Sequence, residues 1–224
     1  MGSLFAPLKW FFGVSLLLLG LMLAAWIIDW VFVFKVWPEG AARLQSILDE
    51  DLVRAARLGG PYGELSAAAA ATANFLYAMV FEATGIHAMG ASFAPVSRLS
   101  IPDTIIRNAY IANSEAIRVA MIGTQLFGVR LANLATALPM LGLVYCVASA
   151  DGLAVRAIRR ARGGRESASL YHRAKHWQVA VLAMSAAVAL LAPVSIDLRW
   201  IWLPGALIVG TLARLQWAYY KKHL

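Results

Sequence analysis

Charge and cysteine are both scarce in this sequence, and each shortage narrows the class of protein it can be. Only 14% of the 224 residues are charged, whereas 61% are hydrophobic, so no large soluble domain is expected. Cys146 is the only cysteine, which excludes an intrachain disulfide, and a small apolar packing residue is its expected role. The alternating pattern of strands is also absent. The sequence therefore predicts an all-α fold.

The residue patterns that carry catalysis are missing as well. We find no nucleophile paired with a base and no phosphate-cradling loop, because the glycines at 163–164 lack the lysine and the preceding strand of such a loop. His172 and His176 share a helix face, but no cysteine or third well-placed carboxylate accompanies them. We expect no enzymatic activity, no cofactor and no bound metal.

Long uncharged runs are what the chain does have. A membrane-spanning helix needs about 20 apolar residues, and four runs approach or meet this length. Three of them, residues 10–28, 131–150 and 177–196, carry no charge, and the fourth, 200–217, is interrupted near its end by Arg214. A fifth run, 65–81, is rich in alanine and only weakly hydrophobic, so we interpret it as a buried or membrane-resting helix of an outer domain. The prediction is a polytopic membrane protein with four transmembrane helices.

The basic residues between the second and third runs fix the predicted orientation. This segment contains seven basic residues but only two acidic ones, Asp151 and Glu166. Short loops with such an excess of positive charge stay in the cytoplasm. Four spans then place both termini in the cytoplasm and residues 35–128 on the opposite side of the membrane. That outer segment carries seven basic and eight acidic residues, in a chain of net charge +8.

These inferences divide the chain into six segments. They are an N-terminal tail with the first transmembrane helix (1–34), a helical periplasmic domain (35–128), the second transmembrane helix (129–150), a basic cytoplasmic loop (151–176), the third transmembrane helix (177–197) and the fourth with a short cytoplasmic tail (198–224).

Within the outer segment, turn and cap residues predict where helices begin and end. A helix should start at Pro38 and end at Gly59, and a second should run from about Glu64 to Ala83. Residues 85–100 have the glycine, proline and serine content of a loop. A helix starting at Ser100 should then continue unbroken into the second span.

The basic loop carries the most functional information. Its first arginines continue the second span as a helix, the glycines at 163–164 stop it, and a new helix leads into the third span, which makes a helical hairpin. The predicted binding residues are Arg156, Arg159, Arg160, Arg162, Arg165, Tyr171, His172, Arg173 and Lys175. Anionic lipid headgroups and an acidic protein face are the favoured partners. Nucleic acid is the least favoured, because no aromatic platform for base stacking accompanies the arginines, and self-association into a homo-oligomer is left open.

Asp29 directly follows the first predicted span. Aromatic residues flank it on both sides, which favours a position at the outer headgroup level over one inside a helix bundle. The alternative function, a small transporter or channel, would use Asp29 as its polar site.

Two passages carry a resemblance to a known family. "RRARGGRESASLYHRAKHW", followed by an apolar hairpin that ends in "ARLQWAYYKKHL", resembles a family of unknown function among the membrane proteins of integrating conjugative elements, and "GLMLAAWIIDWVFVFKVWPEGAARLQSILDEDL" agrees with it. The resemblance extends over nearly the whole chain. It implies an inner-membrane accessory protein of a conjugative type IV secretion system, encoded beside the coupling ATPase, and no catalytic residues.

Overall fold

The computed structural model describes residues 6–58, 64–92, 101–163 and 168–220. Within these ranges the protein is all α, with no strand. Its α-helices are α1 Ala6–Val31, α2 Ala41–Leu58, α3 Glu64–Tyr77, α4 Ile86–Ser92, α5 Ile101–Ala112, α6 Ser114–Ala161, α7 Ala168–Leu191 and α8 Arg199–Ala218. Five-residue π-helical turns extend α1 (Phe32–Val36) and α3 (Ala78–Glu82).

Most of the predicted helices form, and the differences are local. The predicted loop at 85–100 is wrong in its first half, because α4 occupies Ile86–Ser92 directly after Gly85, whose φ of +75° ends the preceding helix. The unbroken helix predicted from Ser100 is also interrupted: α5 ends at Ala112 and α6 begins at Ser114. The side chain of Asn113 bonds back to the carbonyl of Ala109 at 2.8 Å, which competes with the helical pattern at this point. Ser100, Gly59 and Pro61 lie outside the described residues.

Helix α6 is the longest element, with 48 residues. At 1.5 Å per residue it extends for about 70 Å, more than twice the roughly 30 Å of a bilayer core. It contains the second predicted span and, as expected, continues into the arginines of the basic loop. Pro139 is accommodated inside the helix without ending it.

The chain divides into two compact units. The first comprises Met1–Ala132 with Leu190–Ser195, and the second Asn133–Ala189 with Ile196–Leu224. In the first unit, Trp26 bonds to Thr124 and Trp30 to the carbonyl of Ala116, so α1 runs antiparallel to α6. Helix α3 does so too, because Ala73 lies against Gly128 whereas Tyr77 lies against Met121. Helices α1 and α3 therefore run in the same direction.

The core of the first unit explains why α2 is helical and amphipathic. Its apolar residues recur at helical spacing, and Leu44, Ile47 and Ala55 are fully buried. They pack in one cluster with Ala69 and Ala73 of α3 and with the buried face of α6. The small side chains of α3 allow close approach: a Cβ atom added at Gly128 would lie only 2.6 Å from the Cα atom of Ala73.

The second unit packs the rest of α6 against α7 and α8. Its core contains Ala137 and Leu141 of α6, Ala189 of α7, and Trp202 and Ala206 of α8. At the start of α8, Arg199 pairs with Asp197 at 2.6 Å.

Within the part of the chain that the structure describes, four helices are long and apolar enough to cross a membrane, and together they indicate a multi-pass membrane protein. They are Lys9–Val36, Glu64–Glu82, Ser114–Ala161 and Ser169–Leu191. Two of them contain the first two predicted spans, and Ser169–Leu191 contains only the first part of the third, because α7 ends at Leu191 and not at 196 as predicted. The remaining one, Glu64–Glu82, is the alanine-rich helix that the sequence analysis placed outside the membrane. Helix α8, the fourth predicted span, is long enough but less apolar, and it contains Pro204 and Arg214.

Candidate functional site

The end of α6 and the start of α7 carry the basic residues predicted to bind a partner, and the structure separates them into two groups. Arg159 turns inward to the end of α8, where it donates to the carbonyl of Ala218 at 2.9 Å and its guanidinium stacks on Tyr219 at 3.8 Å. Arg156 lies 5.2 Å from the ring of Tyr220. These two arginines hold the C-terminal segment against α6, so they are internal contacts of the second unit.

The remaining basic side chains point outward. Arg160 and Arg162 at the end of α6, and Arg173 and Lys175 with His172 in the first turns of α7, are all exposed. Tyr171 is half-buried because its ring packs on Tyr220 at 5.5 Å. Arg165 lies outside the described residues. We refer to Arg160, Arg162, His172, Arg173 and Lys175 as the outer basic surface.

A second set of contacts fixes α8 beside the same part of α6. Arg214 forms an ion pair with Asp151, and Trp217 donates to the hydroxyl of Tyr145 at 3.2 Å. Gly152 makes the close approach possible, since a Cβ atom there would lie 2.5 Å from the carbonyl oxygen of Arg214. These contacts hold α8 against the part of α6 that leads into the outer basic surface.

A buried polar cluster centred on Arg130 lies in the first unit, and the sequence interpretation did not find it. The side chains of Arg130 and Asp51 are each only 6% exposed, and Nε of Arg130 lies 2.9 Å from Oδ2 of Asp51. The other Asp51 oxygen accepts from the hydroxyl of Ser195 at 2.5 Å. A terminal nitrogen of Arg54 lies 3.6 Å from this same oxygen of Asp51.

Arg130 also closes the C-terminal end of α7. Its two terminal nitrogens lie 3.4, 2.6 and 2.9 Å from the carbonyl oxygens of Leu190, Ala192 and Val194. Carbonyls at a helix end lack partners within the helix, and the forked guanidinium can serve several of them while it also binds a carboxylate. Arg130 thus joins α2, α6 and the end of α7.

One signal in the sequence could have pointed to this cluster. Arg130 immediately precedes the second apolar run, and a charge at the edge of a span needs a partner or an interfacial position. Asp51 directly follows Asp49 and Glu50, which are exposed, so the local sequence favours a solvent-exposed position for all three carboxylates. Its partners lie 79 and 144 positions away in the chain, and no local pattern connects them.

The sequence predicted that Asp29 would lie at the outer headgroup level, but in the structure its side chain is buried. Its side chain packs against α6, where a Cβ atom at Gly123 would lie 2.7 Å from Oδ2 of Asp29, and the residue is 5% exposed. Cys146 was predicted to pack in an apolar core, but it is exposed on α6. Among the described residues, no group of three or more histidine, cysteine or acidic side chains is placed to hold a metal ion.

Comparison with known families gives one match. A family model described as "IncC plasmid conjugative DNA transfer protein DtrJ-like" matches residues 36–221. The matched range includes both the buried Arg130 cluster and the outer basic surface. No curated protein and no solved structure matches the chain.

Proposed function

Because the chain belongs to the DtrJ-like family of IncC plasmid conjugative DNA transfer proteins, we propose that it is a non-enzymatic inner-membrane accessory subunit that docks the coupling ATPase of the transfer machinery. The family places the protein in conjugative DNA transfer of a plasmid system. This confirms the conjugative part of the resemblance, although the family description names a plasmid and not an integrating element. The outer basic surface is the observation that carries the docking proposal.

The direction of the helices supports the proposed topology, in which α3 belongs to an outer domain. Two successive membrane crossings must run in opposite directions, but α1 and α3 run in the same direction. Helix α3 could follow α1 across the bilayer only if α2 also crossed. Helix α2 contains six charged residues, and each charge at the bilayer centre costs about 2.5–3.5 kcal/mol. With α3 outside the membrane, α1, α6, α7 and α8 are the four spans and both termini are cytoplasmic.

Reporter fusions at two positions test this topology. We expect a green fluorescent fusion after Gly163 to be fluorescent, which marks the cytoplasm, and an alkaline phosphatase fusion after Thr84 to be active, which marks the periplasm. If α3 crossed the membrane after α1, the enzyme at Thr84 would be cytoplasmic and inactive. An active phosphatase at Gly163 would invert the topology and remove the docking proposal with it.

The outer basic surface suits an acidic protein face. Its side chains come from two helices joined by a short connection, and Arg156 and Arg159 are not available to a partner because they hold Tyr219 and Tyr220. Arginine donates paired hydrogen bonds to carboxylates, and a concentrated positive surface increases the rate of encounter with an acidic partner. The docking proposal therefore rests on the outward residues alone.

Charge reversal tests the docking proposal. We expect the triple variant Arg162→Glu, Arg173→Glu, Lys175→Glu to lose copurification with the coupling ATPase and to lower DNA transfer by about tenfold or more, since a loss of about 1.4 kcal/mol in binding is already tenfold. Copurification and mating frequency are the measurements.

A matched control uses three exposed basic residues of the first unit, Lys35, Arg57 and Arg118, each changed to glutamate. This control should retain copurification. Because reversed charges can alter membrane insertion, the Gly163 reporter is measured in both variants, and a neutral version with glutamine at 162, 173 and 175 is measured beside them. Unchanged copurification in all the 162, 173 and 175 variants would overturn the docking proposal.

A further inference from the structure

The first unit contains an apolar cavity of about 510 Å³, within the range of about 300–1,000 Å³ typical of small-ligand sites. It is lined by the end of α1, the π-helical turn after α3, α4, α5 and the beginning of α6. Nearly all of its wall is apolar, and Tyr110 and Asn113 are lining residues that carry a polar group. Charged ligands and sugars would find no partner in it.

The aromatic wall of the cavity is held in place before any ligand arrives. Nε1 of Trp26 donates to Thr124 and Nε1 of Trp30 to the carbonyl of Ala116, each at 3.1 Å. The Trp26 ring packs on Phe81 at 6.1 Å. Because both indole N–H groups are already satisfied inside the protein, the rings offer the cavity only apolar surface.

The surface beside the cavity is also apolar. Trp30 is 39% exposed and Ile106 is 46% exposed, and both line the cavity. Ile105 and Ile111, on the same helix as Ile106, are exposed as well. An open apolar groove of this kind marks a binding site for an apolar partner.

We propose that this cavity binds an acyl chain of a membrane phospholipid. The helix that carries Trp26 and Trp30 is one of those apolar enough to span the membrane, and tryptophan near the end of a span marks the headgroup level. Trp30 both lines the cavity and is exposed on the surface of α1, so we expect phospholipid to be the apolar molecule at the mouth of the cavity. Asn113 and Tyr110 provide the polar groups near which a headgroup can lie.

Photo-crosslinking of the full-length protein in nanodiscs tests this site. The probe is phosphatidylethanolamine with a diazirine on one acyl chain, and mass spectrometry identifies the labelled residues. We expect labelling at Ile86, Met89 and Ile106, in addition to the lipid-facing Leu143 and Val147 of α6. The Ala109→Phe variant, which fills the cavity from an exposed position on α5, should lose the cavity labels and keep those on α6.

The control is Ala135→Phe, at an exposed position on α6, which should keep both sets of labels. Ala120→Leu gives a second filling variant if Ala109→Phe fails to insert. Labelling confined to Leu143 and Val147 in the parent protein would overturn the proposal, as would cavity labels that persist in both filling variants. In a parallel experiment a photoreactive amino acid replaces Ile106, and a crosslink from it to a second, isotopically distinct copy of the chain would also overturn the proposal, because it would identify a protein–protein surface.

Discussion

Replacement of Arg130 by methionine is expected to lower the free energy of unfolding by about 3–5 kcal/mol, the usual loss when one partner of a buried ion pair is removed. The variant leaves the Asp51 carboxylate buried with Ser195 and the more distant Arg54. It also leaves the carbonyls of Ala192 and Val194 without the hydrogen bonds that Arg130 gives them. Thermal unfolding of the purified protein in detergent, followed by tryptophan fluorescence, measures the loss.

Three further variants separate the ion pair from a general effect of removing charge. Arg118→Met removes an exposed arginine twelve positions earlier in α6 and should change stability by less than about 0.5 kcal/mol. Arg130→Lys should be intermediate, because an ammonium group cannot serve a carboxylate and several carbonyls in a fixed plane. Arg130→Met combined with Asp51→Leu should regain part of the loss, since the unpaired carboxylate is gone. Equal stability of the Arg130→Met and Arg118→Met variants would contradict the assigned role of the cluster.

Gly128→Ala should lower the free energy of unfolding by about 1–3 kcal/mol, the usual cost of overpacking. The added Cβ atom would lie 2.6 Å from Cα and 2.9 Å from the backbone nitrogen of Ala73. A flexible side chain could rotate away, but backbone atoms cannot, so α3 must move away from α6. The same unfolding assay measures the effect, and limited proteolysis should show faster cleavage within α3.

Gly142→Ala is the matched control for this prediction. It changes a glycine of the same helix to alanine at a position where nothing lies within 4 Å of the new Cβ atom. Alanine is also the better helix former, so we expect no loss of stability. If both variants unfold at the same temperature, the close contact between α3 and α6 is wrong, and with it the argument from helix direction that keeps α3 out of the membrane.

The local sequence pattern was sufficient to predict most of the individual helices of this protein. The amphipathic repeat of α2, the stop at Gly85 and the helical arginines after the second span all depend on neighbours within a few positions. Where the local signal was ambiguous, the prediction was wrong. The glycine, serine and proline content after Gly85 indicated a loop, but Ile86–Ser92 forms a helix whose Ile86 and Met89 line the apolar cavity.

The sequence alone determined that this is an all-α chain of membrane character with a basic hairpin. The signals were the scarcity of charge, the four apolar runs and the surplus of arginine between two of those runs. Which arginines face outward was decided only by tertiary structure, because Arg159 is internal through its contacts with Ala218 and Tyr219, 59 and 60 positions later. The pairing of Asp51 with Arg130 and the relative direction of α1 and α3 were decided in the same way. Helix formation depends on residues three or four apart, whereas burial and pairing depend on which distant surfaces meet, and no period in a single sequence encodes that.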